Sequence, residues 1–303
     1  MRRTFLLWRS SGRAPGWYYQ AMERWGGLAA EMEPLTVQVL NGCRMRCDLT
    51  DHVERQVYFI GLYEPVESLL LTRLLKPGMT VIDGGANIGQ HTLTAAKAVS
   101  TGGAVHSFEP IPTTFDKLRG NIELSQLTNV HTNRSALWNE TTTVRLGMPA
   151  TTTHNAGTFG IDMGDSVSDV EADAISLDEY VRGHDIDSVD FVKLDVEGAE
   201  LAALQGMRSV LQRDHPALLI EICRKTAARL GYDVQEIWEL LVDDLGYKGW
   251  AVGPWDDGAG TLADLRGITQ QNVLFYDEGR MRLPAMPNLK AILEWAWSST
   301  RDS

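Results

Sequence analysis

Residues 81–89 read Val-Ile-Asp-Gly-Gly-Ala-Asn-Ile-Gly, an apolar strand that ends in a carboxylate and runs straight into a glycine-rich turn. The turn opens an amphipathic helix at Gln90. A ligand can approach such a turn closely only where large Cβ substituents are missing, which Gly85 and Gly89 provide. Asn87 stands at the apex, where Asn tolerates positive φ and can bond backbone or ligand. Asp83 discriminates between ligands. A diphosphate at the helix N-terminus is repelled by a carboxylate at the end of the same strand, whereas an ammonium or sulfonium is attracted. Glu109 ends the next apolar strand, and a carboxylate there can accept both hydrogens of a ribose diol. A cationic amino acid joined to ribose describes S-adenosylmethionine. The segment also fits a loose Gly-x-Ala-x-x-Gly, and Glu109 lies 20 residues past Gly89 (109 − 89), as in a dinucleotide site. The turn alone therefore leaves an NAD-dependent oxidoreductase open.

Further motifs follow in a fixed order. Tyr63-Glu64-Pro65 and Leu75-Lys76-Pro77-Gly78 precede the turn, and Phe108-Glu109-Pro110 follows it. Then come Ser176-Leu177-Asp178-Glu179-Tyr180, the run Lys193-Leu194-Asp195-Val196-Glu197-Gly198-Ala199-Glu200, and Leu218-Leu219-Ile220-Glu221-Ile222. In these motifs, over roughly residues 62–222 with a looser tail to 276, the sequence resembles the FkbM family of methyltransferases. The resemblance implies a class I, S-adenosylmethionine-dependent fold that usually O-methylates a hydroxyl of a sugar or natural product. Family members differ widely in acceptor, so it names none. A non-catalytic scaffold that kept the sheet and lost the chemistry is the alternative from another class.

From residue 79 the pattern alternates between strand and helix. It predicts strands at 79–83, 104–109, 129–134, 189–195 and 217–222, and helices near 88–99, 112–126, 176–183, 197–213 and 233–245. Apolar strands separated by helices imply an α/β fold, a mostly parallel sheet covered on both faces. Its ligand lies at the strands' carboxyl ends, where Asp83, Glu109, Asp195 and Glu221 fall. Two more strands are expected at 247–252 and 272–276. The resemblance implies that a closing antiparallel strand completes a seven-stranded, Rossmann-like class I sheet. Residues 1–60 read as an N-terminal extension. They carry a hairpin over 35–49 turned at Asn41-Gly42, with a helical stretch at 51–61. The methyltransferase domain is expected over 61–280, with a helical tail at 281–303.

The net charge of −12 argues against nucleic acid, whose phosphates demand clustered Lys and Arg. No apolar run approaches the roughly 20 residues of a membrane span, and the run 5–8 is too short for a signal peptide. These features predict a cytoplasmic protein acting on a small molecule, and a homo-oligomer is compatible with them. Cys43, Cys47 and Cys223 are too few for a disulfide framework, and Cys43-x-x-x-Cys47 lacks a second ligand pair for zinc. Ordinary burial of reduced thiols is expected.

Asp83, Gly85, Asn87, Gly89 and Glu109 are thus the expected cofactor contacts. Glu64 joins them through the resemblance, to meet the methionine end or to favour its helix N-terminus, and Ser135 is a candidate for the adenine edge. Asp195 and Glu197 are the expected catalytic acids. They orient the amine, hold a metal or accept the substrate proton, unless they merely cap the following helix. Lys193 shares the strand face of Asp195. His154, in a polar loop, is a further candidate base, and His91 a candidate wall of the methyl pocket. The acidic stretch 162–173 reads as a solvated loop, and 151–173 as a lid over the acceptor. Glu221 runs into Arg224-Lys225, two cations that disfavour a bound dication; metal-independent transfer is therefore expected.

Overall fold

The computed structural model describes residues 33–39, 42–149, 160–161, 166–253 and 260–284. The first described element is an antiparallel hairpin, β1 (Leu35–Gln38) against β2 (Arg44–Cys47), in register from Leu35–Cys47 to Gln38–Arg44. The period of two along β2 buries Met45 and Cys47 and turns Arg44 and Arg46 outward. Cys43 is also buried, and none of the three cysteines forms a disulfide. Two helices follow, α1 (His52–Ile60) and α2 (Pro65–Leu74). Asp51 caps α1 by accepting from the Glu54 N–H, and Gly61 closes it in the left-handed conformation.

The central unit then runs β3 (Thr80–Gly84), α3 (Gln90–Val99), β4 (Ala104–Phe108), α4 (Pro112–Leu124) and β5 (Val130–Asn133). A second sheet interrupts it: β6 (Ala136–Leu137), β7 (Thr142–Pro149), β8 (Gly160–Ile161) and β9 (Ser166–Ile175). The first sheet resumes with α5 (Leu177–Gly183), β10 (Phe191–Leu194), α6 (Glu200–Gln205), α7 (Arg208–Asp214), β11 (Ala217–Cys223) and α8 (Arg224–Arg229). After it come α9 (Gln235–Trp238), which continues into a π-helical turn (Glu239–Asp244), then β12 (Lys248–Ala251), β13 (Gly260–Thr261) and β14 (Gln270–Tyr276).

The large sheet has the order β13-β12-β14-β11-β10-β3-β4-β5. From β11 to β5 all pairs are parallel; β14, last in the chain, inserts between β11 and β12 antiparallel to both. This is the mostly parallel α/β sheet that the alternating pattern anticipates. Its strands are apolar on both faces because both are covered. Ile82, Val192, Leu194, Leu218 and Ile220 enter one core, while Val81, Phe191, Leu219 and Leu274 enter the other. The hairpin and α1 pack Val37, Met45, Val53 and Val57 with Ile88, Leu93 and Leu118 in a third cluster. Backbone N–H groups of Arg44 and Arg46 donate to Ser125 and Asn121 at 3.0 and 2.9 Å, tying the hairpin to α4 and the turn after it.

Four expectations need correction. The described sheet has eight strands rather than seven, because β13 adds a two-residue bridge to β12, too short to leave a periodic signal. The helix expected at 197–213 begins only at Glu200 and breaks at Gly206-Met207 into α6 and α7; a side chain at Gly206 would collide with the Trp138 carbonyl. The helix expected at 233–245 is in large part the π-helical turn. Most telling is the acidic stretch expected as a solvated loop, of which 166–173 belongs to β9. Ala172 and Ala174 are buried while Glu171 and Asp173 are exposed, so the acids are the outward half of a strand pattern. The expected C-terminal helix lies almost wholly outside the described residues, as does Asn41 of the hairpin turn.

Candidate active site

The carboxyl ends of β3, β4, β10 and β11 converge on a cavity of about 320 Å³. The glycine turn forms its floor. The N–H groups of Gly85 and Ala86 both donate to the Phe108 carbonyl, at 3.0 and 2.9 Å, so the turn after β3 is stitched to the end of β4. Gly85 has φ +77°, and a Cβ there would collide with the Asp195 carbonyl. Gly89, at φ +93°, starts α3 where a Cβ would lie 2.6 Å from Leu118 Cδ1. Both glycines are therefore required by backbone and helix packing. Gly85 also lines the cavity; Gly89 does not.

Asn87 sits at φ +50° and lines the cavity. Its N–H donates to Glu109 Oε2 at 2.9 Å, and the Ile111 N–H donates to Oε1 at 2.9 Å. Glu109 is thus clamped across its own turn, with lone pairs left on both oxygens. Burial pushes its carboxyl up to about 7 against the pull of those two N–H groups. Asp83 is elsewhere than the sequence suggests. It is 2% exposed and absent from the cavity wall. Thr92 donates to its Oδ2 at 2.6 Å, whereas Oδ1 has no hydrogen-bond partner. Asp83 pairs in register with Lys193 and lies behind the wall. Ser135 is half-buried beside the lining residues Ala136 and Leu137 but is not itself a lining residue. His154 lies outside the described residues.

The opposite end holds Glu64, Asp195, Glu197 and Glu221, all on the wall. Lys193, 4% exposed, donates to Asp195 Oδ2 at 3.1 Å. Burial alone would raise Asp195, yet the adjacent ammonium wins and holds its carboxyl below the usual range. The neighbours are displaced the other way. Burial, then the charge of Asp195, lifts Glu221 to about 7 and Glu197 to about 8. Gln270 donates to Glu221 Oε1 at 2.9 Å. Arg224 does not serve the site. It donates to the carbonyls of Leu265, Arg266 and Ile268, and Lys225 is exposed. The cation bonded to an acid of this wall is Lys193, on Asp195, and not Arg224 or Lys225 as the sequence suggested.

Helix capping does not explain Asp195 or Glu197. Helix α6 starts at Glu200 after an uncapped Ala199. Glu200, 2% exposed, takes the loop's N–H groups instead, accepting from Gly198 at 3.0 Å and Val196 at 3.3 Å, while the Tyr232 hydroxyl donates to it at 3.1 Å. The loop so pinned holds Glu197 in the left-handed region at φ +52°, a conformation costly for a residue with a side chain. Sequence reasoning missed this latch, since an acid two residues after Gly198 gives no cue that it folds back on its own loop. Tyr63 was also missed as a wall residue, and the small sheet supplies Leu146 and Gly160. Gly160 comes from the segment expected as a lid; a Cβ on it would lie 2.9 Å from the Glu197 carbonyl.

The sequence matches the family described as the methyltransferase FkbM domain over residues 83–248, more than half of the chain. Similar curated proteins include the hexuronic acid methyltransferase AglP of Haloferax volcanii, 31% identical over 52% of this chain and 59% of that protein. Methyltransferase 1 of Beauveria bassiana is 26% identical over 42% of this chain and 57% of that one. The chain therefore spans little more than half the length of these relatives. Among solved structures, methyltransferase FkbM of Methylobacillus flagellatus aligns with TM-score 0.43 and 17% identity over 75% of this chain and 55% of that one. The O-methyltransferase of Bacillus cereus in complex with SAH aligns with TM-score 0.44 and 14% identity, over 71% and 82%.

Proposed function

The chain belongs to the FkbM family of methyltransferases, whose cofactor is S-adenosylmethionine, and we propose that it O-methylates a hydroxyl of a sugar or natural-product small molecule. One observation carries the reading of the site. Glu64, Glu109, Asp195, Glu197 and Glu221 line one cavity, and among the described residues no Lys, Arg or His lines it with them. A ligand bearing an ammonium and a sulfonium neutralises that wall, whereas the diphosphate of a dinucleotide is repelled by it. The residues fit the cofactor: Glu64 Oε2 is buried with no hydrogen-bond partner among the described residues, and Glu109 keeps lone pairs for a diol. Bound there, S-adenosylmethionine supplies an electrophilic methyl group.

The protein's own part is to place the acceptor and remove its proton. Glu109, fixed by the Asn87 and Ile111 N–H groups, takes the ribose, and Asn87 shapes the turn beside it. Glu64 and Asp195 face the amino-acid end. Of the candidate bases, Asp195 is the weakest because Lys193 holds it ionised and poorly basic. Glu197 is better matched to neutral pH, its carboxyl lying near 8. Positioning a hydroxyl in line with the methyl group can remove about 7–11 kcal/mol of barrier, and the roof near Gly160 narrows the poses available. A net charge of −12 favours a small acceptor over nucleic acid. AglP, a hexuronic acid methyltransferase by name, makes sugars the first acceptors to try.

The test is transfer of label from methyl-labelled S-adenosylmethionine to a panel of sugars, uronic acids and polyhydroxylated natural products, with calorimetry of S-adenosylhomocysteine and NAD alongside. A methyl ether on one hydroxyl, with binding of S-adenosylhomocysteine only, supports the reading. Binding of NAD without S-adenosylhomocysteine sinks it.

A further inference from the structure

Glu64 occupies the N-cap position of α2 but does not cap it: its side chain makes no bond to the helix N–H groups. Its backbone lies at φ 48°, in the left-handed region that a residue with a side chain enters only when something else holds it there. The carboxylate turns instead toward the cavity wall and toward His91 on α3. Glu64 Oε2 and His91 Nε2 stand 3.8 Å apart, both buried, and among the described residues neither has a hydrogen-bond partner. The His91 side chain is 9% exposed and lies behind the wall rather than on it. Two buried polar atoms that face each other just beyond bonding distance each forgo a hydrogen bond, and a buried unsatisfied group is costly. A closure of under an ångström satisfies both, if Nε2 carries the proton. The imidazole is neutral, since burial and then Lys193 pull it down to about 3, and a neutral ring still donates from one nitrogen.

Building on the functional reading above, we propose that His91 is a positioning residue for Glu64. With the cofactor bound, His91 Nε2–H donates to Glu64 Oε2 and aims the other carboxylate oxygen into the cavity, where it takes the ammonium of the cofactor's amino-acid moiety. The cation draws the carboxylate into its ionised form, and an ionised carboxylate is the stronger acceptor for the histidine. The contact is open in the free protein and closes as the ammonium enters.

Calorimetry with two probes tests this. S-adenosylhomocysteine carries the ammonium; 5′-methylthioadenosine keeps the nucleoside and lacks the amino acid. Glu64→Gln and His91→Leu should each weaken S-adenosylhomocysteine by about tenfold and leave 5′-methylthioadenosine unchanged. The double variant should bind no more weakly than Glu64→Gln alone, because His91 acts through Glu64. His91→Gln, which retains a donor, should recover most of the loss, and it serves as the folded comparison if His91→Leu melts early. Equal weakening of both probes would make His91 a packing residue and overturn the proposal, as would additive losses or an unchanged affinity in His91→Leu. Failure of the unaltered protein to bind S-adenosylhomocysteine at all would overturn the functional reading first, and this proposal with it.

Discussion

At one end of the cavity Glu109 is gripped by two backbone N–H groups at 2.9 Å, while the other gathers Asp195, Glu197 and Glu221, with the buried Lys193 paired to Asp195. Burial lifts Glu109 and Glu221 alike to about 7, so desolvation is not what separates the two ends. The difference lies in what acts most strongly beside it. At Glu109 the largest influence after burial is the pair of fixed N–H dipoles, which resist the rise, whereas at Glu221 and Glu197 it is the charge of Asp195, which adds to it. In the proposed function the first end is a receptor whose geometry precedes its ligand, and the second is completed by an arriving cation. On that proposal one end serves recognition and the other a change of protonation.

The most severe way to break this contrast is to remove the base. Glu197→Gln should lower kcat by about 10²- to 10⁴-fold with little change in S-adenosylhomocysteine affinity. A base works deprotonated, so the rate of the unaltered enzyme should climb with pH and level off above about 8, and the variant should lose that limb. A rate–pH profile of both proteins reads this; a flat profile across that value would move the base elsewhere. At the receptor end, Glu109→Ala should weaken S-adenosylhomocysteine by about 1.5–3 kcal/mol, the scale of hydrogen bonds to a charged group. Isothermal calorimetry is the check, and a loss confined to kcat would contradict the division between the ends.

A subtler effect is on stability. Glu109, Glu200 and Glu221 titrate near 7 and Glu197 near 8 in the folded protein, against an ordinary 4.5. Between those values the folded state binds more protons than the unfolded chain, so its stability falls as pH rises from 4.5 to about 8. The ligand-free protein should therefore melt lower at the alkaline side of that window, at about 2–4 °C per kcal/mol lost. S-adenosylhomocysteine should narrow the gap, because its ammonium favours ionised carboxylates. Thermal melts across that range decide it, and a melting point that rises with pH would count against the crowded acids. The smallest effect expected is that of chelation. The Lys193 ammonium, 3.1 Å from Asp195, disfavours a dication beside it, so EDTA should leave the rate unchanged; a loss restored by Mg²⁺ would make Asp195, Glu197 and Glu221 ligands instead.

The large sheet was legible because its strands carry unbroken apolar runs, and runs such as 81–82 and 218–220 are buried on both faces in any parallel arrangement. The second sheet was not. In β9 the outward half is Asp and Glu, and a search for apolar continuity reads that as loop; only the alternation of 170, 172 and 174 marks a strand. Glu109, Asp195 and Glu221 were visible as strand-end carboxylates, yet their ranking was not. Asp83 and Asp195 look equivalent in sequence, and only the sheet register shows the first sealed behind the wall opposite Lys193 and the second on the wall. The pinning of Glu197 by Glu200 and the facing of Glu64 by His91 depend on loop and helix placements that no spacing encodes.

Gly85 has a consequence for how the chain acquires its activity. Its Cα lies so close to the Asp195 carbonyl that the two segments, 110 residues apart (195 − 85), form a single floor. Loop-closure entropy is paid before so distant a contact returns anything, which places such contacts late in folding. A chain with β3, β4 and β5 alone would display the glycine turn and Glu109 but have neither Glu197, the proposed base, nor Lys193. Catalytic competence should therefore arrive in one step, when β10 docks beside β3, and a nascent chain halted before that strand should recognise the nucleoside poorly and turn over nothing.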